Sequence, residues 1–100
     1  MRGKPVANDA ILSDAKIVGL DKVCKVVDNG SDIPGTYLKA ISKKAKSAIL
    51  KADVIISKGQ GNFETLSGCG LNVYYLFLCK CAMFLKRLNA QPFSPVLINE

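Results

Sequence analysis

The chain has 100 residues, 49% of them hydrophobic, with 14 Lys and Arg against 8 Asp and Glu, no His and a net charge of +6. That length suits one domain, which buries about two-thirds of its unfolded surface. No apolar run approaches the ~20 residues of a membrane-spanning helix and no signal peptide is visible, so a cytoplasmic protein with no membrane partner is expected. The positive excess favours anionic partners in general and names none of them.

From the N-terminus, Pro5-Val6-Ala7 reads as an incoming strand that ends in the polar pair Asn8-Asp9. A carboxylate and an amide there are hard oxygen donors suited to a divalent cation, although such pairs also make ordinary turns. Ser13-Asp14 predicts a capped short helix through Val18, closed by Gly19. Val23 to Asp28 is a second apolar strand, followed by the turn-rich Asn29-Gly30-Ser31-Asp32 and Pro34-Gly35.

Thr36 can cap a helix through about Ala52, with Leu38, Ile41, Ala45, Ala48 and Ile49 on one side and Lys39, Lys43, Lys44, Lys46 and Lys51 on the other. The lysine face lacks interleaved aromatics for base stacking. A solvated face is therefore the better reading, and nucleic acid is not the expected partner.

Asp53 to Leu66 is the stretch around which the rest is organised. Val54-Ile55-Ile56 predicts a buried strand, Lys58-Gly59-Gln60-Gly61 a tight turn, and Asn62 onward a helix. In an open α/β sheet, ligands collect outside the carboxyl ends of strands, where glycines let backbone N–H groups approach an anion and a helix N-terminus adds a favourable dipole. The order Lys before Gly is the reverse of a P-loop, and Glu64 occupies the position where a dinucleotide fingerprint needs a small residue, so neither familiar phosphate loop applies.

Further on, Asn72 to Cys79 predicts a strongly apolar strand, Cys81 to Leu88 a short helix, and Pro95 to Ile98 a last strand. Alternating strands and helices of this kind imply a parallel sheet with right-handed crossovers. On that layout the first three strands end in Asn8-Asp9, in Asp28 to Ser31 and in Lys58-Gly59. All three polar clusters would then share one rim of the sheet. Cys24, Cys69, Cys79 and Cys81 form no C-x-x-C and have no His beside them, which favours buried free thiols over zinc or thiol catalysis.

Several motifs together resemble one family. Arg2-Gly3-Lys4-Pro5 with Asn8-Asp9, Asp14-Ala15, Val18-Gly19-Leu20, Asn29-Gly30-Ser31-Asp32 with Pro34-Gly35-Thr36, Lys58-Gly59-Gln60-Gly61-Asn62-Phe63-Glu64-Thr65-Leu66 and Lys80-Cys81 follow one another as in the C-terminal part of the metal-dependent damage-control phosphatases, the domain of unknown function eighty-nine. The resemblance spans nearly the whole chain and implies a single α/β domain over 1–100, matching the C-terminal portion of a longer Rossmann-like α/β/α three-layer fold with a mostly parallel sheet. It implies hydrolysis of phosphate esters of small phosphorylated metabolites with a divalent metal ion (Mg, Mn, Co or Ni). Asp9 would be the metal ligand, with Asn8 beside it, and Asp9 and Lys58 would be the catalytic pair. Lys58 would hold the phosphoryl oxygens, Gly30, Ser31 and Gly59 would offer backbone donors, and Asn62 and Glu64 would line or brace the site. Asp28 and Asp32 fit either the site or turn capping.

The family's other metal-binding motif, an Asp-Asn pair with a nearby Gly and Glu, lies before the matching region, and Ala7 and Ala82 depart from the family pattern. The expectation is a phosphatase fragment that is incomplete without an N-terminal partner segment. The alternative is a non-catalytic module that binds phosphate or a similar anion.

Overall fold

Strict alternation of buried and exposed residues sets the central strand, β2 (Val73–Leu78): Val73, Tyr75 and Phe77 face one side, and Tyr74, Leu76 and Leu78 the other. In the computed structural model, which describes residues 1–100, β2 lies between β1 (Ile55–Lys58) and β3 (Pro95–Asn99). The β1–β2 pair is parallel, with Ser57 opposite Tyr75 and Lys58 opposite Leu76. The β2–β3 pair is antiparallel, with Tyr75 opposite Ile98. The sheet is thus mixed where a mostly parallel one was expected. Nothing in the local apolar pattern of β3 encodes its direction, and the short connection that follows α4 (Ala82–Arg87) brings the chain back antiparallel.

One face of this sheet is covered. Phe63, from α3 (Gln60–Leu66), is completely buried and stacks on Phe77 with ring centroids 4.7 Å apart; it meets Tyr75 and Phe84 edge-on at 5.1 and 5.0 Å. Offset and edge-on aromatic packing of this kind adds to the burial energy itself. Arg87 of α4 lies over the outer side of the Phe63 ring at 5.5 Å and pairs with Glu100 at 2.8 Å, which ties the end of the chain to this helix. The other face carries Ile56, Tyr74, Leu76, Leu78 and Leu97, all exposed, with Ile56 at 74% and Leu97 at 66%. Helices over one face make two layers of Ala52–Glu100; the three-layer arrangement is not seen there.

Contacts divide the chain into two units, Met1–Lys51 and Ala52–Glu100. The first contains α1 (Leu12–Ile17), a 3₁₀ turn over Leu20–Lys22 and α2 (Lys43–Leu50). Its only strand-like pairing is a bridge between Arg2 and Ile11. The expected strand at Pro5-Val6-Ala7 is a turn instead, closed by Asp9 N–H donating to Val6 O at 2.9 Å, with Ala7 at φ 46°. Pro5 has no N–H for a ladder, and the left-handed Ala7 reverses the chain.

Val23 to Asp28 is likewise no strand. Val23 and Cys24 N–H donate back to Leu20 O at 3.1 Å, and further along Met1 donates its amino group to Val27 O and accepts from Asn29 N–H, so no ladder forms. The helix expected over 36–52 is shortened to α2, because Ser42 is drawn out of helical geometry by donating its N–H to Asn29 O at 2.8 Å; its hydroxyl then caps Ala45 N–H at 3.2 Å. α1 begins earlier than the expected Ser13-Asp14 cap: Ile11 holds the N-cap position, and Ser13 and Asp14 lie inside the first turn. Asp14 accepts from Ile11 N–H at 2.8 Å, and Gly19 follows the helix at φ 73°.

Candidate phosphate-binding site

A strand, a glycine turn and a helix follow one another at Ile55–Leu66 in the expected order, but the helix begins at Gln60 instead of Asn62. The strand expected to be buried leaves Ile56 74% exposed because that face of the sheet is uncovered, and this geometry decides which groups are available to a ligand. Alternation along β1 sends Ser57 to the covered face and Lys58 to the open one, at the carboxyl end of the strand. Gly59 follows at φ 95° and ψ 144°, a conformation essentially reserved for glycine, and turns the chain directly into α3. Its N–H donates to Leu76 O at 2.9 Å, extending the parallel register by one residue. The turn is braced by Asn62, whose side chain donates to Lys58 O at 2.8 Å.

Gln60 makes a longer connection. Its Oε1 accepts from the N–H groups of Lys80 at 2.8 Å and Cys81 at 3.3 Å, and its Nε2 donates to Glu64 Oε1 at 2.8 Å. Glu64 thereby orients Gln60 and is itself exposed. The segment after β2 is consequently fastened to the turn after β1. Between them lies an open cavity of about 420 Å³ lined by Lys58, Gly59, Gln60, Leu76, Phe77, Leu78, Lys80 and Pro95. Both lysines are exposed, and neither belongs to an ion pair; the chain's ion pairs are Arg2 with Asp9 and Arg87 with Glu100.

The remaining expected site residues lie in Met1–Lys51. Arg2 is 9% exposed, donates from Nε to Asp9 Oδ2 at 2.7 Å and from Nη1 to Gly35 O, so the Asp9 carboxylate is already engaged by a guanidinium. Gly3 N–H points at both Asn29 Oδ1 and Ser31 O at 3.1 Å, which brings the loop at 29–31 beside the segment that carries Asp9. Asn8 is exposed in the turn before Asp9. In the same loop Gly30 N–H donates to Asp28 Oδ1 at 2.9 Å and Ser31 N–H to Asn29 Oδ1 at 3.0 Å, while Ser31 Oγ accepts from Ile33 N–H at 3.1 Å. Asp28 is therefore a turn-capping residue, and Asp32 is exposed beside it.

The expected residues fall into two sets: Asn8, Asp9, Gly30 and Ser31 in one unit, and Lys58, Gly59, Asn62 and Glu64 in the other. Asp28 and Asn8-Asp9 do not end strands of the sheet, so the shared rim is not present in the form expected. The backbone donors proposed at Gly30, Ser31 and Gly59 are each engaged within the protein, leaving the Lys58 ammonium as the free cationic group of the expected set. A hard divalent cation needs several oxygen ligands. Asp9, already paired with Arg2, is a lone carboxylate, and no group of three or more His, Cys, Asp or Glu side chains converges anywhere in the chain. These residues do not by themselves make a complete metal site.

No helix is long and apolar enough to cross a membrane. All four cysteines are free; Cys79 is buried, Cys69 and Cys81 are partly so, and Cys24 is exposed. Gln60 and the placement of Lys80 were not assigned from the sequence. Gln60 stands between two glycines of a turn, where a side chain ordinarily points to water, and only its bond across 20 residues gives it a role.

A lysine at the carboxyl end of a parallel strand, followed by a glycine turn into a helix and opening on a cavity, defines an α/β protein with a candidate ligand site at a strand end. The chain belongs to the damage-control phosphatase family: residues 1–94 match the family described as "Damage-control phosphatase ARMT1-like domain". It is similar to a damage-control phosphatase of Pyrococcus horikoshii, 45% identical over 86 residues that cover 85% of this chain and 30% of that protein. An uncharacterised protein of Methanocaldococcus jannaschii is 36% identical over 99% of this chain and 34% of its own length. A damage-control phosphatase of Archaeoglobus fulgidus is 31% identical over 81% of this chain and 29% of its own. The crystal structure of a family protein from Pyrococcus horikoshii superposes with a TM-score of 0.90 at 39% identity, covering 98% of this chain and 35% of that one. The chain thus spans about a third of the length of the curated relatives it matches.

Proposed function

We propose that this chain supplies the phosphoryl-holding part of a divalent-metal-dependent phosphatase that hydrolyses phosphate esters of small phosphorylated metabolites. The observation that carries this reading is the Lys58 ammonium at the end of β1, unpaired and opening on the cavity. A fixed cation at that point offsets charge on the phosphoryl oxygens as the ester bond breaks, and it does so best where apolar walls such as Leu76 and Leu78 displace water. Asp9 and Asn8 join a metal site in this reading only with ligands from an N-terminal segment equivalent to the rest of the relatives' length. The exposed apolar sheet face, with Tyr74, Leu76 and Leu78 on its central strand and Ile56 and Leu97 on the strands either side, is where such a segment would gain burial energy.

The test is hydrolysis of p-nitrophenyl phosphate by the purified chain, with and without the complementary segment of the Pyrococcus relative, across Mg, Mn, Co and Ni. Metal-dependent turnover with the segment, lost in Asp9→Ala and in Lys58→Ala, is expected. Absence of turnover with every metal in the presence of a bound segment refutes the reading. The engagement of Asp9 by Arg2 favours one alternative, a non-catalytic phosphate-binding module. That alternative gives metal-independent phosphate binding, lost in Lys58→Ala, and no turnover under any of these conditions.

A further inference from the structure

We infer that the segment from Val23 to Asp28 accepts a further β-strand, running parallel to it and ending at the amino group of Met1, and that the complementary segment supplies this strand. This rests on the reading that such a segment completes the chain, and it adds where one of its strands joins. The Met1 amino group donates to Val27 O at 3.1 Å, and Met1 O accepts from Asn29 N–H at 2.8 Å. These two bonds alone do not make a strand, but they are the pair that a parallel ladder repeats, with Met1 opposite Asp28. Carried on past Met1, the same register calls next on Val27 N–H, Lys25 O and Lys25 N–H. None of these three groups has a hydrogen-bond partner in the protein.

The side chains agree with the backbone. Val23 is 80% exposed and Val26 and Val27 are half-buried, a β-branched apolar surface of the kind that strands pack against. Backbone groups at such a half-buried position ordinarily find a partner, so a strand with matching N–H and C=O groups is the fitting occupant. It comes from a separate polypeptide in this reading, because the Pyrococcus relative has more than two-thirds of its length outside the match. A polypeptide that ends beside Met1 sets its terminal carboxylate against the Met1 ammonium, whereas a second copy bound in the same way has no carboxylate fixed at that point.

The experiment adds a synthetic peptide to the 100-residue chain and follows amide hydrogen exchange by NMR. The peptide has about eight residues, an ordinary strand length, copied from the Pyrococcus relative immediately before its equivalent of Met1. At saturating peptide, exchange at Lys25 and Val27 is expected to slow about tenfold or more, while Val26, whose N–H faces away from the added strand, is unchanged. N-methylation of the penultimate peptide residue, whose N–H faces Lys25 O in this register, is expected to weaken binding about tenfold, the size of one hydrogen bond left unmade.

Protection at Val26 in place of Lys25 and Val27, or an N-methylated peptide that binds as well as its parent, overturns the register and with it the site. No binding by the peptide overturns the inference and leaves the phosphatase reading standing, since that reading is tested by turnover with the whole segment. Binding as expected, with no turnover when the whole segment is bound, keeps the strand site and refutes the phosphatase reading. Protection of Lys25 and Val27 that appears without peptide as the chain is concentrated overturns the choice of occupant in favour of a second copy.

Discussion

Tyr75 lies at the centre of the covered sheet face with no exposed surface, and its hydroxyl makes no well-formed hydrogen bond, the Cys69 thiol being only a weak partner. Replacing it by Phe keeps the ring contact with Phe63 at 5.1 Å and removes only the oxygen. An unsatisfied buried polar group costs about 1–3 kcal/mol, so Tyr75→Phe is expected to stabilise the protein by about 1 kcal/mol at pH 7, the low end allowing for relaxation. For a domain of this size that raises the melting temperature by about 4–8 °C. Burial, with smaller contributions from Cys69 and Glu100, pushes the Tyr75 hydroxyl from its ordinary 10.0 up to about 12. Between those values the unfolded chain has released the proton while the folded one keeps it, so wild-type stability falls as pH rises from 10 to 12 and does not change on this account below 10. Two pKa units correspond to at most about 2.7 kcal/mol. The advantage of Tyr75→Phe over wild type should therefore grow across that window. Urea unfolding followed by circular dichroism at pH 7, 10 and 11.5 measures it. A variant less stable than wild type at pH 7, or an advantage that does not grow above pH 10, refutes the reasoning.

Phe63→Ala removes the side chain shared by Tyr75, Phe77 and Phe84 and should cost about 3–5 kcal/mol in urea unfolding, a large part of a small domain's stability. Gly3→Ala places a Cβ 2.5 Å from the Gly30 backbone and 2.7 Å from Ser31 N, with no flexible side chain to give way. It should cost about 1–3 kcal/mol and shift the amide resonances of residues 29–31; a variant as stable as wild type with an unchanged spectrum contradicts that packing. Ser42→Ala removes the hydroxyl that caps α2 and should cost about 1 kcal/mol, with hydrogen exchange accelerated first at Ala45.

Ala52 onward was largely legible because its signals are local and agree with its packing. The apolar run expected at 72–79 became Val73–Leu78, the helix expected at 81–88 became Ala82–Arg87, and the last strand stayed within a residue of its expected bounds. The first half was less so. A strand exists only with a partner for its ladder, and Pro5-Val6-Ala7 and Val23 to Asp28 find none, whatever their apolar content. The same holds for Ser42, whose place at the start of α2 is decided by a bond to Asn29, 13 residues earlier, that no local pattern encodes. Family membership was readable because the motifs run in order along the chain, whereas the link from Gln60 to Lys80 joins two of those motifs in space and is visible only in the fold.

The glycines of the Lys-Gly-Gln-Gly turn illustrate how one motif admits two physical readings. From sequence, a glycine beside a lysine at a strand end suggests backbone N–H groups offered to an anion. In the fold, Gly59 spends its N–H on Leu76 and its freedom at φ 95° on turning β1 into α3 without an intervening loop. That sharp turn places Gln60 two residues beyond the strand end, within reach of Lys80 N–H at 2.8 Å. In the proposed function the glycine acts through geometry and the charge comes from the Lys58 side chain. A backbone-donor site would tolerate Lys58→Ala, whereas a site built on the Lys58 ammonium is expected to bind phosphate more weakly in that variant.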